Sequence, residues 1–357
     1  MLTVIENMSQ NIINENETLI AALEKLDKSR VKVIFVVDSD GKLMASVTDG
    51  DVRRALLAGN EVNSRVGDIG FRNPQYMTKS DGMDKISAAL SKKDIAAVPI
   101  VDDEGHIECI YTNKGPQKRK SDVKIDVPVV IMAGGKGTRL YPYTKILPKA
   151  LLPVADTPII ERIINSFIEC GCENYHIVIN HMKNMIRAYF SDNDKKDMIT
   201  FWDEDIPLGT GGGLKMLEGT ITGTFALTYC DILILDDVRN MVEHHKKNGN
   251  SVTMVCSLKT FEIPYGVVNF SSGGEIASFE EKPTLSYFTN TGYYILEPEV
   301  FKYINENEFI GMPDIIERMR ADGKKIGVYP IGENAWLDMG QFDSMEGMER
   351  RLKELEL

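Results

Sequence analysis

Residues 127–133, Val-Pro-Val-Val-Ile-Met-Ala, form an apolar run of strand length that empties directly into Gly134, Gly135, Lys136, Gly137, Thr138, Arg139 and Leu140. Seven uncharged residues followed by glycines predict a strand buried on both faces, as in the parallel sheet of an α/β fold. A glycine-rich turn leaves backbone N–H groups clear of side chains where an anion approaches. In open α/β sheets such a turn lies at the carboxyl ends of the strands, where ligands collect. Two familiar phosphate loops are excluded. The stretch Gly135-Lys136-Gly137-Thr138-Arg139-Leu140 ends in leucine rather than glycine, and the segment has no Gly-Lys-Ser/Thr.

The segment continues through Tyr141, Pro142, Thr144, Pro148 and Lys149 to Leu151-Leu152-Pro153-Val154. The full string is G-G-x-G-T-R-L-x-P-x-T-x-x-x-P-K-x-L-L-P-V. It resembles the signature of the sugar nucleotidyltransferases, and the resemblance extends over residues 127–346. The resemblance implies a Rossmann-like mixed sheet of α/β class. It also implies that Ala133, Gly134, Gly135, Gly137 and Thr138 wrap a nucleoside triphosphate, that Arg139 holds its β- and γ-phosphates, and that Lys149 contacts the α-phosphate. The residue types suit those roles, because an arginine fork grips two phosphate oxygens while lysine acts as a point charge. Fixed cations aimed at the leaving pyrophosphate stabilise the transition state with little reorganisation.

Further landmarks fall downstream. Residues 225–230 read as a buried strand ending at Asp231, and Trp336-Leu337-Asp338-Met339-Gly340 matches a Trp-x-Asp-x-Gly segment. By resemblance Asp231 and Asp338 bind Mg²⁺, a hard ion suited to carboxylates, phosphate oxygens and water; taken singly, each reads as a turn or cap residue. Leu208-Gly209-Thr210 resembles the turn that faces the base, with Glu204 just before it. A carboxylate only accepts hydrogen bonds, and guanine presents adjacent N–H donors, which favours GTP; the alternative is an exposed surface glutamate. Gly266, Glu281, Lys282, Asn290 and Thr291 match segments lining the sugar-phosphate site, with Glu281 on sugar hydroxyls and Lys282 on the phosphate. His244 and His245 read as helix-surface residues, His176 as a strand residue, and the methionines from Met339 to Met348 as ordinary packing. The residues after the last motif are too few for the hexapeptide β-helix that some members of this family carry, so no acetyltransferase activity is expected.

The amino-terminal part has a different logic. Val36-Val37-Asp38-Ser39-Asp40-Gly41 and Thr48 recur 64 residues later as Ile100-Val101-Asp102-Asp103-Glu104-Gly105 and Thr112. Each copy predicts an amphipathic helix, over 19–26 and 86–90, then a strand, a turn and a second strand. The pair resembles tandem CBS motifs, a smaller α+β module that often binds adenine nucleotides. Thr48 and Asp51 match the positions at which the family holds such a ligand. In the second copy Gly115 stands where Asp51 would recur, so one good site at most is expected; a purely assembly-stabilising role stays open. Residues 114–128 are polar and punctuated by Gly and Pro, and Lys118-Arg119-Lys120 suits a solvated hinge. The expected layout is a CBS pair over 1–118, a linker over 119–126 and a nucleotidyltransferase domain over 127–357.

Composition narrows the partners. A net charge of −12 opposes general nucleic-acid binding, and no apolar stretch approaches the roughly 20 residues of a membrane span. The amino terminus lacks a signal-peptide pattern and the five cysteines show no metal-site spacing, so a cytoplasmic protein is expected. CBS pairs often self-associate, which implies a homo-oligomer. The narrower expectation is GTP with glucosamine 1-phosphate or mannose 1-phosphate. A UTP-, CTP- or dTTP-using glucose-1-phosphate transferase, or a nucleotide sensor without turnover, are the alternatives.

Overall fold

The computed structural model describes residues 2–5, 8–29, 31–92, 95–113 and 124–354. The chain folds as two compact units, Met1–Lys120 and Ser121–Leu357.

The first unit runs β1 (Leu2–Val4), β2 (Ile12–Asn14), α1 (Leu19–Lys28), β3 (Val33–Val37), β4 (Leu43–Thr48), α2 (Asp49–Leu57), β5 (Met77–Thr78), α3 (Met83–Leu90), β6 (Ala97–Val101) and β7 (Ile107–Asn113). The starts of α3, β6 and β7 lie 64 residues after those of α1, β3 and β4, so the sequence repeat is a structural one. Even the irregularity in pairing recurs, between Val36 and Val37 and again between Ile100 and Val101. Each copy turns on an aspartate: Asp38 Oδ1 accepts the N–H groups of Asp40 and Lys42, and Asp102 Oδ1 those of Glu104 and His106. Strand β1 pairs with β7, so the amino-terminal strand completes the second copy's sheet, β1-β7-β6-β5, beside a separate sheet β2-β3-β4. Helix α1 buries Leu19, Ala22, Leu23 and Leu26, the stripe expected from its period. The counterpart of α2 in the second copy, Gly115, the basic triplet at Lys118-Arg119-Lys120 and residues 119–123 of the expected linker lie outside the described residues.

The second unit contains β8 (Val129–Ala133), a short hairpin β9 (Pro153–Val154) and β10 (Thr157–Pro158), α4 (Ile159–Ile168), β11 (Tyr175–Ile179), α5 (Lys183–Ser191), β12 (Ile199–Asp203), β13 (Phe225–Tyr229), β14 (Ile232–Ile234) and α6 (Val238–Asn248). It continues with β15 (Val252–Glu262), β16 (Val267–Phe270), β17 (Ile276–Glu280), β18 (Thr284–Leu296), α7 (Met312–Ala321), β19 (Ile326–Ile331), β20 (Trp336–Asp338) and α8 (Phe342–Glu354). Residues 124–127 already pack on this unit: Ile125 N–H donates to the Cys170 carbonyl, and Val127 is buried.

The main sheet has the order β12-β11-β8-β13-β18-β15-β19. Strands β12, β11, β8 and β13 are parallel, and β18 runs antiparallel to both β13 and β15. All five residues of β8 are buried, as an apolar run without alternation requires. Val129, Ile131 and Ala133 pack in one core with α4 and α6, while Val130 and Met132 face a second core containing Met312, Ile315 and Met319 of α7. This is a three-layer α/β sandwich. The chain moves from β8 out to β11 and β12, then returns to the other side of β8 at β13. That reversal makes the carboxyl end of β8 the topological switch point, the place where open α/β sheets bind ligands.

Candidate functional site

Gly134 and Gly135 follow β8 at this switch point. A Cβ on Gly134 would lie 2.8 Å from Oε2 of Glu204 and 3.2 Å from Cβ of Asn180, whereas one on Gly135 would meet nothing within 4 Å. Ala133 is buried and pairs with Ile179. Gly137 adopts a left-handed φ of +62° and is held from outside, because Thr144 Oγ1 donates to its carbonyl at 2.7 Å. Thr138 and Arg139 stand exposed on the single turn that follows.

Lys149 reaches back from the far end of the signature segment. Its side chain is largely buried, and Nζ donates to Oδ2 of Asp231. Asp231 follows β13, and its carbonyl accepts the Met339 N–H at 2.9 Å. The two-stranded ladder β14-β20 places Ile232 opposite Asp338. Carboxylates 107 positions apart in the chain are thereby brought side by side. Burial pushes the Asp338 carboxyl above the ordinary aspartate range, the charge of Asp231 adds to the rise, and Lys149, Arg139 and Lys259 oppose it. Arg139, Lys149, Asp231 and Asp338 therefore form one electrostatic cluster.

This donor set fits a divalent cation. Two carboxylates converge at a cost that a bound cation relieves, and an ammonium already sits against one of them. Among the described residues no group of three or more His, Cys, Asp or Glu side chains converges. A two-carboxylate site leaves the rest of an octahedral shell to phosphate oxygens and water, the arrangement Mg²⁺ favours.

Glu204 is buried, not exposed, with 5% of its surface accessible. Its backbone is tied down at both ends: the Glu204 N–H donates to the Ile179 carbonyl, and Asn180 Nδ2 donates to the Glu204 carbonyl at 2.8 Å. The carboxylate has no such tie; Oε1 is buried with no partner among the described residues. Burial pushes its pKa up to about 7. An unpaired acceptor beside the glycine loop is the kind of group that a ligand donor satisfies.

Gly209 and Thr210 also hold the protein's own chain. Gly209 has φ +81°, and a Cβ there would lie 2.6 Å from the Ile310 carbonyl oxygen. Its glycine is demanded by the chain at 308–312 packing against the turn, whether or not a base approaches. Thr210 Oγ1 accepts the Met312 N–H at the start of α7, and its carbonyl accepts the Tyr229 hydroxyl. On the acceptor side, a Cβ on Gly266 would lie 2.9 Å from Oε2 of Glu281, so these two are neighbours at the base of hairpin β16-β17. Lys282 is exposed with a left-handed φ of +47°. Asn290 Nδ2 donates to the Tyr294 hydroxyl at 2.6 Å. Thr291 is buried, and its hydroxyl donates to the Val255 carbonyl, so it builds the irregularity between β15 and β18. Among the described residues, Glu281 and Lys282 make no hydrogen bond or ion pair with the aspartate cluster. Thr48 and Asp51 of the first unit form a helix cap: Asp51 Oδ2 accepts the Thr48 N–H at 2.8 Å and its hydroxyl at 2.6 Å, while Oδ1 pairs with Arg54.

Sequence reasoning missed two residues here. Lys259 of β15 pairs with Glu333 at 2.9 Å and lies 5.2 Å from the centre of the Trp336 ring, in electrostatic reach of Asp338. A lone lysine in a strand gives no local signal. Asn180 does give one, since it is the first residue after β11 at the switch point. His245 corrects an expectation: it is buried, with Nδ1 2.9 Å from Thr253 Oγ1 and Nε2 3.1 Å from Glu297 Oε1. His176 is the strand residue expected, and Met339 and Met348 are core. No helix among the described residues is long and apolar enough to cross a membrane.

Comparison with known proteins agrees with this fold. The bifunctional protein GlmU of Methanococcus aeolicus is 32% identical over 234 residues, covering 63% of this chain and 54% of its own. The UTP–glucose-1-phosphate uridylyltransferase of Synechocystis is 29% identical over 233 residues, covering 59% of this chain and 60% of its own. The chain thus spans between half and two-thirds of the length of these curated relatives. The crystal structure of HddC from Yersinia pseudotuberculosis superimposes with a TM-score of 0.51 at 18% identity, over 63% of this chain and 99% of that one, which shows a shared fold. The CBS domain model matches residues 8–58, within the first copy of the repeat. The nucleotidyl transferase model matches residues 128–354, and the chain belongs to that family.

Proposed function

We propose that the chain is a sugar-1-phosphate nucleotidyltransferase that converts a nucleoside triphosphate and a sugar 1-phosphate to a nucleotide sugar and pyrophosphate. The observation that carries this reading is the meeting of Asp231 and Asp338 with Lys149 and Arg139 beside the open face of Gly135. The N–H groups of the loop and the Arg139 fork hold the triphosphate tail, and Lys149 presents its charge to the α-phosphate. A sugar-phosphate oxygen attacks the α-phosphorus in line as the bond to the β-phosphate oxygen breaks, and pyrophosphate carries away the electron pair. Asp231 and Asp338 would hold Mg²⁺, which when bound neutralises charge on the α-phosphate and orients the attacking oxygen. Glu281 and Lys282 bind the acceptor's hydroxyls and phosphate, supported by the neighbouring Gly266; Asn290 and Thr291 shape the strands behind them.

The narrower reading is GTP with glucosamine 1-phosphate or mannose 1-phosphate, with the free Glu204 carboxylate accepting the adjacent N–H groups of guanine. Adenine nucleotide at Thr48 and Asp51 would regulate the reaction. A cytoplasmic setting suits both substrates and the free cysteines. Pyrophosphate release measured over four nucleoside triphosphates and several sugar 1-phosphates tests the reading. Turnover is expected with at least one pair, fastest with GTP, and no turnover with any pair refutes it. Asp231→Asn should lower that turnover by about 10²–10³-fold with the fold intact. In Glu204→Gln, GTP should weaken more than UTP; an unchanged preference removes the case for guanine.

A further inference from the structure

Three parallel strands end level with one another. Ile179 pairs with both Ala133 and Asp203, so Gly134, Asn180 and Glu204 are the first residues past β8, β11 and β12. Glu204 is the acid among them, and it is buried. Two missing side chains make room for its carboxylate. A Cβ on Gly134 would lie 2.8 Å from Oε2, and one on Gly213, in the helical turn Gly212–Leu217, would overlap Oε1. Glycines therefore shape the space around the head group, while Oε1 has no partner among the described residues.

The ionisable groups on the surrounding elements are engaged elsewhere or exposed. Strand β8 carries none. Beside Glu204, Asp203 faces Lys183 at 3.8 Å and Arg187 at 3.0 Å, and Asp205 is exposed. Lys215 of the turn donates to the Phe301 carbonyl and pairs with Glu218. Tyr175 and His176 lie at the far end of β11, the tyrosine donating to the Cys172 carbonyl and the histidine accepting the Trp202 indole N–H. Lys136 of the loop is exposed, and His181 follows Asn180 with its backbone N–H on the Gly134 carbonyl. Burial is what acts on the Glu204 carboxyl, and its neutral and ionised forms are both populated near neutral pH. The two forms present different edges. The ionised carboxylate offers only acceptors, which match adjacent donors such as N1–H and N2–H of guanine. The neutral acid offers an O–H donor beside an acceptor, as a glutamine amide does, and matches N3–H beside O4 of uracil. Against uracil the ionised form sets two acceptors face to face with no proton between them, a mismatch that is costly in a buried place.

We propose that Glu204 is a protonation-dependent base selector: ionised it takes a guanine nucleotide, neutral it takes a uracil nucleotide, and the site shifts from GTP towards UTP as pH falls. The selector rests on the nucleotide-site reading above and adds a control to it. Calorimetric titration of the full chain with GTP and with UTP, at one Mg²⁺ concentration and without sugar phosphate, reads it directly. The triphosphate titrates alike in both nucleotides and cancels in the ratio of their affinities. That GTP-to-UTP ratio should rise about 10–100-fold between about pH 6 and pH 8, because each nucleotide draws on one form of the site. In Glu204→Gln, whose amide does not ionise, the ratio should stay flat. A flat ratio in the wild type overturns the proposal, as does a swing retained in the variant, which would assign it to His181. Proton counting needs no variant. Titrations of the wild type in two buffers of different ionisation enthalpy should show UTP binding with about one proton more than GTP. Equal proton counts would overturn the selector. Pyrophosphate release separates this from the enzyme reading: turnover with a flat ratio sinks the selector alone, and a pH-dependent ratio without turnover sinks the enzyme reading alone.

Discussion

A methyl group added to Gly135 meets open space, while one added to Gly209 lies 2.6 Å from a backbone oxygen at a φ of +81°. The two glycines thus differ in their surroundings, Gly135 bordering open space and Gly209 the protein's own chain. Gly135→Ala should leave the melting temperature unchanged and weaken triphosphate binding about tenfold, read by calorimetric titration. Gly209→Ala should lower stability by about 2 kcal/mol, read by urea unfolding; the reverse pattern would contradict both assignments. Glu204 sets a pH dependence. Burial raises its pKa to about 7, so the folded state keeps a proton that the unfolded chain has already released. The resulting stability is complete below the ordinary glutamate range and is lost as pH rises through about 7. Glu204→Gln should flatten the fall in melting temperature between about pH 5 and pH 8, a contribution of roughly 3 kcal/mol. An identical slope in the variant would mean that the carboxylate is paired in solution.

At the scale of elements, what matters is which strand ends are made to coincide. Asp231 and Asp338 read singly as turn residues; the β14-β20 ladder makes them a pair. The same scale governs the first unit, where Asp51 caps α2 through Thr48 and also holds Arg54. A ligand that takes the Asp51 carboxylate must therefore displace a cap. Asp51→Ala should cost the first unit about 1 kcal/mol in urea unfolding. It should also abolish any effect of AMP or ATP on turnover, and a nucleotide effect that persists undiminished would refute the site. The glycine loop was legible because its function is local: a strand, a turn and two cations within residues 129–149. The role of Gly209 was not, because the atoms that demand it belong to a segment about 100 residues later.

At the scale of the molecule, each unit has its own buried residues, Leu26 and Val36 in the first, Ile160 and Phe167 in the second. Separate cores predict separate unfolding transitions in calorimetry. Leu26→Ala should lower one transition and Ile160→Ala the other, each by the 2–5 kcal/mol typical of a buried cavity. Both variants moving a single common transition would show that the units unfold as one.

The sequence by itself determined the repeat, the buried β8, the loop that follows it and the family, because strand burial and phosphate loops are written in contiguous residues. Tertiary structure decided the rest. It placed Asp338 beside Asp231, buried Glu204 Oε1 with no partner among the described residues, packed Thr291 and Gly209 against distant chain, and left one face of a hairpin in water. Those outcomes depend on which distant segments come within a few ångströms of each other, and spacing along a chain carries no record of that distance.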